Sequence, residues 1–116
     1  MTPLIKAKIQ AEFPKGIIGV YAIGFREWPS QVYYGSSKNV RARLLSHANC
    51  LSKNKHKNFR LSRLYPRYSN SCFCVLVKEC ATENEARKHE QLLIDFDPRA
   101  TLNVDKSVVR YNKRKR

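Results

Sequence analysis

The chain has 116 residues, of which 42% are hydrophobic, and a formal net charge of +14. This is the length of a single domain that can bury its own core, and the hydrophobic content excludes a disordered tail. No apolar run approaches the roughly 20 residues that span a bilayer, and no signal peptide opens the chain. We therefore expect an intracellular protein that does not insert into a membrane.

The positive charge is concentrated in one part of the chain, because no acidic residue occurs between Glu27 and Glu79. That basic segment contains Lys38, Arg41, Arg43, Lys53, Lys55, Lys57, Arg60, Arg63 and Arg67. A directed basic surface binds phosphate and releases counterions, so nucleic acid is the leading partner. An anionic membrane surface or a ribosome-type scaffold is the alternative partner for such a surface.

The four cysteines, at positions 50, 72, 74 and 80, do not have the spacing of a zinc site. A C-x-C pair within a strand directs both side chains to one face, and no C-x-x-C pair occurs. We therefore predict reduced, buried cysteines that pack as small hydrophobic residues.

The first predicted elements are a short helix and a hairpin. Residues 4–13 have the apolar spacing of an amphipathic helix, which a Pro-x-Gly sequence ends. The apolar run at residues 17–25 is rich in β-branched and aromatic residues and predicts a strand buried on both faces. Residues 31–35 predict a second, short strand. All four glycines lie between positions 16 and 35, and glycine within a strand marks the close approach of a ligand or another backbone.

From Asn39 onward the periodicity becomes helical. Asn39 is a suitable N-cap, and the apolar stripe of the predicted helix consists of Val40, Leu44, Ala48 and Leu51. Arg43 and His47 lie one turn apart at the edge of that stripe, so we expect them where the helix meets the sheet. A solvated arginine and a boundary histidine are the purely structural alternative.

A polar basic loop at residues 52–57 separates this helix from a second one that begins near Asn58. Pro66 disfavours a helical conformation in the residue before it, so we predict that the second helix ends near Leu64. The run from Cys72 to Val77 predicts a third strand with two apolar faces.

The last predicted helix begins with a capping box formed by Thr82 and Glu85, and runs to about Phe96. Glu90 falls in the middle of its apolar face. Burying an unpaired carboxylate is costly, so Glu90 needs a partner, which is an arginine, a hydroxyl or a metal ion. A salt bridge to a buried arginine is the structural alternative to a functional role.

Several short motifs follow one another along the chain: GVY, then YYG after eleven residues, then SSKNVRARLLSH, KHKNFRL, the late-helix Glu90, and Asn103 in a Leu-Asn pair. In this order and spacing they resemble the GIY-YIG nuclease family, with Val and Tyr at its variable middle positions. The resemblance covers about residues 16–104, which is nearly the whole chain.

Together with the predicted elements, the resemblance implies an α/β (α+β) fold with a three-stranded antiparallel sheet flanked by helices. The strands would come from residues near 17–25, 31–36 and 72–79. We expect one nuclease-like domain over residues 1–109 and a basic tail at 110–116 that adds nonspecific affinity for phosphate.

The resemblance also implies roles for single residues, and Tyr21 is the expected general base. Its reference pKa of about 10 is too high for that role at neutral pH. Positive charge from Arg43 or Lys38, together with the metal ion, would have to stabilise the phenolate.

The other residues that the resemblance implies in catalysis are Tyr33, Arg43, His47, His56, Glu90 and Asn103. Tyr33 would position the water or share the proton path, and Arg43 would clamp the scissile phosphate. Either histidine would serve as the proton shuttle, and Asn103 would orient the phosphate or a tyrosine. Because one carboxylate cannot build a two-metal site, we expect a single Mg²⁺, or Mn²⁺, on Glu90, with water and phosphate completing its coordination.

The implied function is a metal-dependent endonuclease that hydrolyses DNA phosphodiester bonds with limited intrinsic sequence specificity, leaving a 5′-phosphate and a 3′-hydroxyl. We expect DNA contacts from Lys38, Arg41, Lys53, Lys55, Lys57, Arg60 and Arg63. Small relatives of this kind are frequent in phages and mobile elements, which implies a bacterial or phage-infected cell. Double-strand cleavage would need a dimer or two successive nicks, and a chosen target site would need a targeting partner. The alternative is a non-catalytic basic nucleic-acid-binding domain that has kept the nuclease fold.

Overall fold

The computed structural model describes residues 1–103. The strands are β1 (Thr2–Pro3), β2 (Gly19–Phe25), β3 (Val32–Ser37) and β4 (Cys72–Glu79), and the helices are α1 (Lys6–Glu12), α2 (Val40–Ser52), α3 (Phe59–Tyr68) and α4 (Glu83–Phe96). Short 3₁₀ turns follow α3 and α4, at Ser69–Ser71 and Ala100–Leu102. The predicted domain boundary at residue 109 and the basic tail at 110–116 lie outside the described residues.

The strands form one sheet in the order β1-β4-β2-β3, and every neighbouring pair is antiparallel. The predicted α/β fold is confirmed, but the sheet has one strand more than the three that were predicted. The additional strand, β1, consists of Thr2 and Pro3, which pair with Cys74 and Phe73 of β4. Two residues are too few to show any periodicity, so the sequence pattern could not reveal this strand.

Helices cover both faces of the sheet. On one face, Tyr21 and Ile23 pack in a cluster with residues of α1, α2 and α3. On the other face, Val20 and Ala22 pack with residues of α4 and of the segment that follows it. All of β2 is therefore buried, which confirms the predicted two-sided strand.

Helix α2 has the predicted N-cap and the predicted buried stripe. The Asn39 side chain accepts a hydrogen bond from the backbone N–H of Ala42 at 3.3 Å. The apolar stripe is buried in full: Val40, Leu44, Ala48 and Leu51. At the start of α4, the Thr82 hydroxyl accepts from the backbone N–H of Glu85 at 3.1 Å, as the capping box predicted.

Helix α3 continues past Pro66 to Tyr68, so the predicted end near Leu64 was wrong. A proline loses its own hydrogen bond to the preceding turn, but only one turn of helix follows it here. Tyr65 before the proline and Tyr68 after it both pack against the apolar cluster beneath α1–α3. We infer that burial of these two rings offsets the lost hydrogen bond.

Cys72 and Cys74 both lie in the apolar cluster beneath α1–α3, and their side chains are 3% and 0% exposed. This is the one-faced packing that the C-x-C spacing predicted. In the part of the chain that the structure describes, no helix has the length and apolar character needed to cross a membrane.

Candidate active site

The candidate site lies at β3, an edge strand of the sheet, and takes side chains from both faces. Tyr21 of β2 pairs with Gly35 of β3 and lies on the face that α2 covers. Ser36, the next residue of β3, lies on the opposite face, where its hydroxyl donates a hydrogen bond to Glu90 of α4. Because no strand within residues 1–103 pairs with the outer side of β3, groups from the two faces can approach one another around it.

Gly35 is required by the ring of Tyr21. A Cβ atom added to Gly35 would lie 2.4 Å from both Cζ and Oη of Tyr21, which is far inside van der Waals contact. The glycine therefore allows the tyrosine ring to cross the backbone of β3. The predicted close approach of another backbone is confirmed at Gly19, where an added Cβ would meet the carbonyl oxygen of Lys78; at Gly35 the close neighbour is a side chain.

Tyr21 begins a chain of hydrogen-bonded side chains that runs away from the sheet. Its Oη lies 2.6 Å from Nε2 of His47, and the Nδ1 of His47 lies 2.6 Å from Nε2 of His56. The two imidazole rings meet edge to edge and are nearly coplanar, with centroids 4.9 Å apart and 22° between their planes. Helix α2 supplies His47, and the loop before α3 supplies His56, so the predicted pair of histidines meets in one site.

Tyr33 completes the aromatic part of the site. Its ring centroid lies 5.5 Å from that of His47, and its hydroxyl is hydrogen bonded to Tyr21. Burial, with a smaller contribution from the charge of Glu90, raises the pKa of Tyr33 to about 12, against the opposing effect of the Arg43 guanidinium. Both hydroxyls are thus held in their neutral form in the protein without DNA.

Burial also raises the pKa of Tyr21 well above its ordinary value, with Tyr33 adding to the effect. The side chain is 1% exposed, so the desolvation of a phenolate outweighs the opposing charge and hydrogen bond of Arg43. The sequence predicted that positive charge from Arg43 or Lys38 would favour the phenolate. Arg43 does act in that direction, but in the protein alone it is the weaker effect.

Glu90 is buried, as the helical periodicity predicted, and its side chain is 9% exposed. The Ser36 hydroxyl donates to Oε1 at 2.5 Å, so the required partner includes a hydroxyl. Burial raises the pKa of Glu90 to about 7, against the opposing effects of the Ser36 hydrogen bond and the charges of Arg43 and Arg87. A buried carboxylate kept this far from its ordinary pKa is typical of a functional site.

Arg43 links the two halves of the site. Its side chain is exposed on α2, yet its charge acts on Tyr21, Tyr33 and Glu90. An exposed cation beside buried acidic and phenolic groups can receive an anionic ligand from solvent. The predicted placement of Arg43 and His47 where α2 meets the sheet is therefore confirmed.

The sequence comparisons agree with this geometry. A sequence profile of the GIY-YIG catalytic domain matches residues 17–103, which contain every group described above. The chain belongs to the GIY-YIG family. This membership indicates an endonuclease domain with DNA as its substrate.

Two solved structures share the GIY-YIG fold of this chain. The first is a point mutant of the catalytic domain of the intron endonuclease I-TevI, with a TM-score of 0.67, 21% identity, and coverage of 82% of this chain and 98% of that one. The second is the catalytic domain of the homing endonuclease I-TevI, with a TM-score of 0.61, 23% identity, and coverage of 69% and 87%. Among curated protein sequences, none matches this chain significantly.

Asn103 of the GIY-YIG motif set does not touch the tyrosine hydroxyls. Its side-chain amide donates to the backbone carbonyl of Tyr34 at 2.8 Å and accepts from the backbone N–H of the same residue at 2.9 Å. The hydroxyl of Tyr34 in turn donates to Asp97, which is paired with Arg99. Asn103 thereby holds the backbone of β3 at Tyr34, the residue next to Tyr33. A direct role in orienting phosphate stays a prediction.

The predicted DNA-binding residues divide into two groups. Lys53, Lys55 and Lys57 are exposed in the loop that carries His56, and Lys38 and Arg63 are also exposed. Arg41 and Arg60 have partners within the protein, since Arg41 donates to the Gln10 carbonyl of α1 and Arg60 donates to the Thr101 carbonyl. Part of the role of these two arginines is therefore structural, while DNA contact by any of the residues stays a prediction.

Sequence reasoning missed Ser36 and the backbone N–H of Asn58. Ser36 directly follows the YYG motif, and the alternation of β3 places it on the face opposite Gly35, which is the face of α4. The amide of Asn58 donates to Nδ1 of His56 at 3.0 Å. A backbone group has no sequence signal of its own, so only the folded loop could reveal it.

The histidines predict a pH dependence of stability. Burial lowers the pKa of His47 to about 3, with the charges of His56 and Arg43 adding to the effect. Its contribution to stability is therefore complete above the unfolded-state value of 6.5 and is lost as pH falls toward 3. The difference in unfolding free energy between the wild type and a His47→Phe variant should shrink by about 1.4 kcal/mol per pH unit below 6.5.

Urea denaturation at pH 7, 6 and 5 measures this difference, and the same substitution at His89 on α4 controls for the loss of an imidazole elsewhere. Taking differences against the variant is necessary because Glu90, with its raised pKa, changes wild-type stability in the opposite direction over part of this range. A difference that stays constant with pH would contradict the burial of a neutral His47.

Proposed function

We propose that this domain is a Mg²⁺-dependent DNA endonuclease that hydrolyses phosphodiester bonds with limited intrinsic sequence specificity. The observation that carries the proposal is the position of Arg43. Its exposed guanidinium acts electrostatically on two buried tyrosine hydroxyls and on a buried carboxylate. Phosphodiester hydrolysis needs a cation for the phosphate, a base for the water and a carboxylate for a metal ion, and these groups converge around β3.

Arg43 binds the scissile phosphate in this proposal. A guanidinium presents a planar pair of N–H donors that match two phosphate oxygens, and its charge stabilises the additional negative charge of the pentacoordinate transition state. Because α2 holds the side chain beside Tyr21, the phosphate is brought next to the expected general base. Lys55 and Lys57, which flank His56 in an exposed loop, extend the positive surface along the DNA backbone.

Tyr21 acts as the general base once DNA and metal are bound. Its hydroxyl oxygen contacts His47, Tyr33 and Arg43, which can all stabilise a phenolate when the proton leaves. Tyr33 lies on the same face of the sheet and orients the attacking water or the proton on Tyr21. The raised pKa of Tyr21 in the protein alone means that the base is formed only in the assembled complex.

Glu90 is the residue that would hold the metal ion. No group of three or more His, Cys, Asp or Glu side chains within residues 1–103 could form a metal site alone. A single buried carboxylate oriented by the Ser36 hydroxyl fits Mg²⁺, or Mn²⁺, because these ions retain water and accept phosphate oxygens as further ligands. When bound there, the ion supplies positive charge that stabilises the phosphate and the leaving oxygen.

Plasmid nicking tests the proposal. Purified protein should convert supercoiled plasmid to the open circle in the presence of Mg²⁺ or Mn²⁺ and should leave it intact in EDTA. DNA ligase should reseal the nicks, because the proposed products carry a 5′-phosphate and a 3′-hydroxyl. A protein that binds the plasmid but never cuts it, with either ion, would instead be the non-catalytic nucleic-acid-binding domain.

The plasmid form that appears first distinguishes a monomer from a dimer. One site per chain cuts one strand at each visit, so open circles should accumulate before linear plasmid if the protein acts as a monomer. Linear product formed directly from supercoiled plasmid would indicate a dimer that cuts both strands together. A targeting partner and a phage or mobile-element source stay predictions of the family resemblance.

DNA affinity should depend strongly on salt and weakly on sequence. Each lysine that contacts a phosphate releases counterions, so a Lys55→Ala, Lys57→Ala double variant should reduce the slope of log K against log salt by roughly 1.8. Fluorescence anisotropy over a salt series measures the slope on two unrelated duplexes. The matched control removes the exposed Lys6 and Lys8 of α1. An equal reduction of the slope in the two double variants would mean that the loop carrying His56 does not contact DNA.

A further inference from the structure

The hydrogen bonds of His47 and His56 have a direction that the backbone imposes. The N–H of Asn58 donates to Nδ1 of His56 at 3.0 Å. A backbone amide can only donate, so Nδ1 of His56 must carry no proton. Neutral imidazole has one N–H, and that proton is therefore on Nε2 of His56, which faces Nδ1 of His47 at 2.6 Å.

The same reasoning continues to Tyr21. Because Nδ1 of His47 accepts from His56, the single proton of a neutral His47 lies on Nε2. That nitrogen is 2.6 Å from Oη of Tyr21, so His47 donates to the tyrosine oxygen. The proton of the Tyr21 hydroxyl is then directed away from His47, toward Tyr33 or a ligand in the site.

If the hydrogen bonds between Tyr21, His47 and His56 ran in the opposite direction, two hydrogens would face each other. If His47 accepted a proton from Tyr21 at Nε2 while neutral, its own proton would lie on Nδ1 and His56 would have to accept it at Nε2. The proton of His56 would then lie on Nδ1, directly facing the N–H of Asn58. The 3.0 Å contact of the Asn58 amide with Nδ1 of His56 and the 2.6 Å contact between the two imidazoles therefore fit the first direction.

We propose that His56 is a positioning residue. It accepts from the Asn58 amide at Nδ1 and donates from Nε2 to His47, and this makes His47 a hydrogen-bond donor to Tyr21. A donor at this position stabilises the phenolate of Tyr21, whereas an acceptor would hold its proton in place. His56 is thereby distinguished from a proton shuttle, which would have to accept and release protons in both directions. The catalytic part of this inference rests on the proposed nuclease function, but the proton positions themselves do not.

Long-range ¹H–¹⁵N NMR of the histidine rings tests the proton positions without any measurement of activity. The chain has three histidines, at 47, 56 and 89, and a His89→Asn variant assigns the third. We expect both His47 and His56 to be protonated at Nε2 and unprotonated at Nδ1 at pH 7. A His47 ring protonated at Nδ1 in the wild-type protein would overturn the proposal.

Two variants of His56 test the positioning role. His56→Phe keeps a flat ring beside His47 but has no N–H, so we expect His47 to lose its single tautomer and the nicking rate at saturating DNA to fall about 10-fold. His56→Gln retains an amide N–H that can donate to His47, and it should restore both the Nε2-protonated tautomer and part of the rate. DNA affinity should be the same in both variants.

The Ser62→Ala variant is the control, because the Ser62 hydroxyl donates its hydrogen bond to the backbone carbonyl of His56 and not to an imidazole. It should keep the wild-type tautomer and the wild-type nicking rate. If His56→Phe cuts DNA as fast as the wild type while the tautomers are as expected, the positioning role is wrong. If the tautomers are as expected and the wild type cuts no DNA, the proposed function fails and the proton positions stand.

Discussion

Replacing Glu90 with glutamine should reduce Mg²⁺-dependent plasmid nicking by at least about 100-fold, the usual loss for one catalytic group. Glutamine keeps the shape of the side chain and can still accept from the Ser36 hydroxyl, but it lacks the charge that would hold a metal ion. DNA affinity should stay the same or rise, because the repulsion between a carboxylate and phosphate is removed. Single-turnover nicking and a separate binding assay in Ca²⁺ measure the two effects.

The same variant should be more stable than the wild type in the absence of metal at neutral pH. Burial raises the pKa of Glu90 to about 7 from its ordinary 4.5. A raised carboxyl pKa means that the contribution of this group to stability is complete below 4.5 and is lost as pH rises through 7. The advantage of Glu90→Gln should therefore appear between these values and level off above them, at about 3 kcal/mol.

Urea denaturation in EDTA across this pH range measures the advantage, and Glu85→Gln, an exposed change on the same helix, is the matched control for both assays. If Glu90 is only a structural partner of a buried cation, the glutamine variant should melt lower than the wild type. Metal-dependent nicking that survives in the folded fraction of such a variant would rule out the proposed metal role.

Replacing Arg43 with alanine should remove nicking activity, with a loss of at least about 100-fold, while the fold remains intact. The side chain is exposed on α2 and is not part of the buried apolar stripe, so its removal costs little packing. A lysine at this position should also fail, because its ammonium group cannot reproduce the planar two-point contact of a guanidinium with phosphate.

Lys53→Ala, at the C-terminal end of α2, controls for the loss of one positive charge near the site. It should weaken DNA binding at moderate salt without changing the nicking rate at saturating DNA. Melting temperatures of all three variants report whether the fold is retained. Wild-type nicking by Arg43→Ala would show that the phosphate is held elsewhere.

Local sequence patterns predicted those parts of the molecule that depend on one element at a time. The apolar run before Phe25 identified a strand buried on both faces, and the spacing after Asn39 identified α2 with its stripe. The helical periodicity of α4 placed Glu90 on an apolar face, and Glu90 is buried there. In each case the periodicity of a single helix or strand decides which side chains face the core.

Patterns failed where a long-range contact outweighed a local preference. Pro66 predicts a helix end, but packing of Tyr65 and Tyr68 on the sheet extends α3 beyond it. The pairing of Thr2 and Pro3 with β4 depends on a neighbour some 70 residues away, and no local rule contains that information. The strand pattern predicted the burial of Tyr21, but only the folded arrangement decides that this burial raises its pKa more than the charge of Arg43 lowers it.

The sequence by itself determined the family, the main elements and the residue types of the site, because motif order and periodicity are properties of the chain. Only the tertiary structure decided how those residues work together. It placed Ser36 against Glu90, and it joined the amide of Asn58, His56, His47 and Tyr21 in one chain of hydrogen bonds. The physical reason is that hydrogen-bond direction and desolvation depend on distances of a few ångströms between residues far apart in sequence, and no pattern along the chain records those distances.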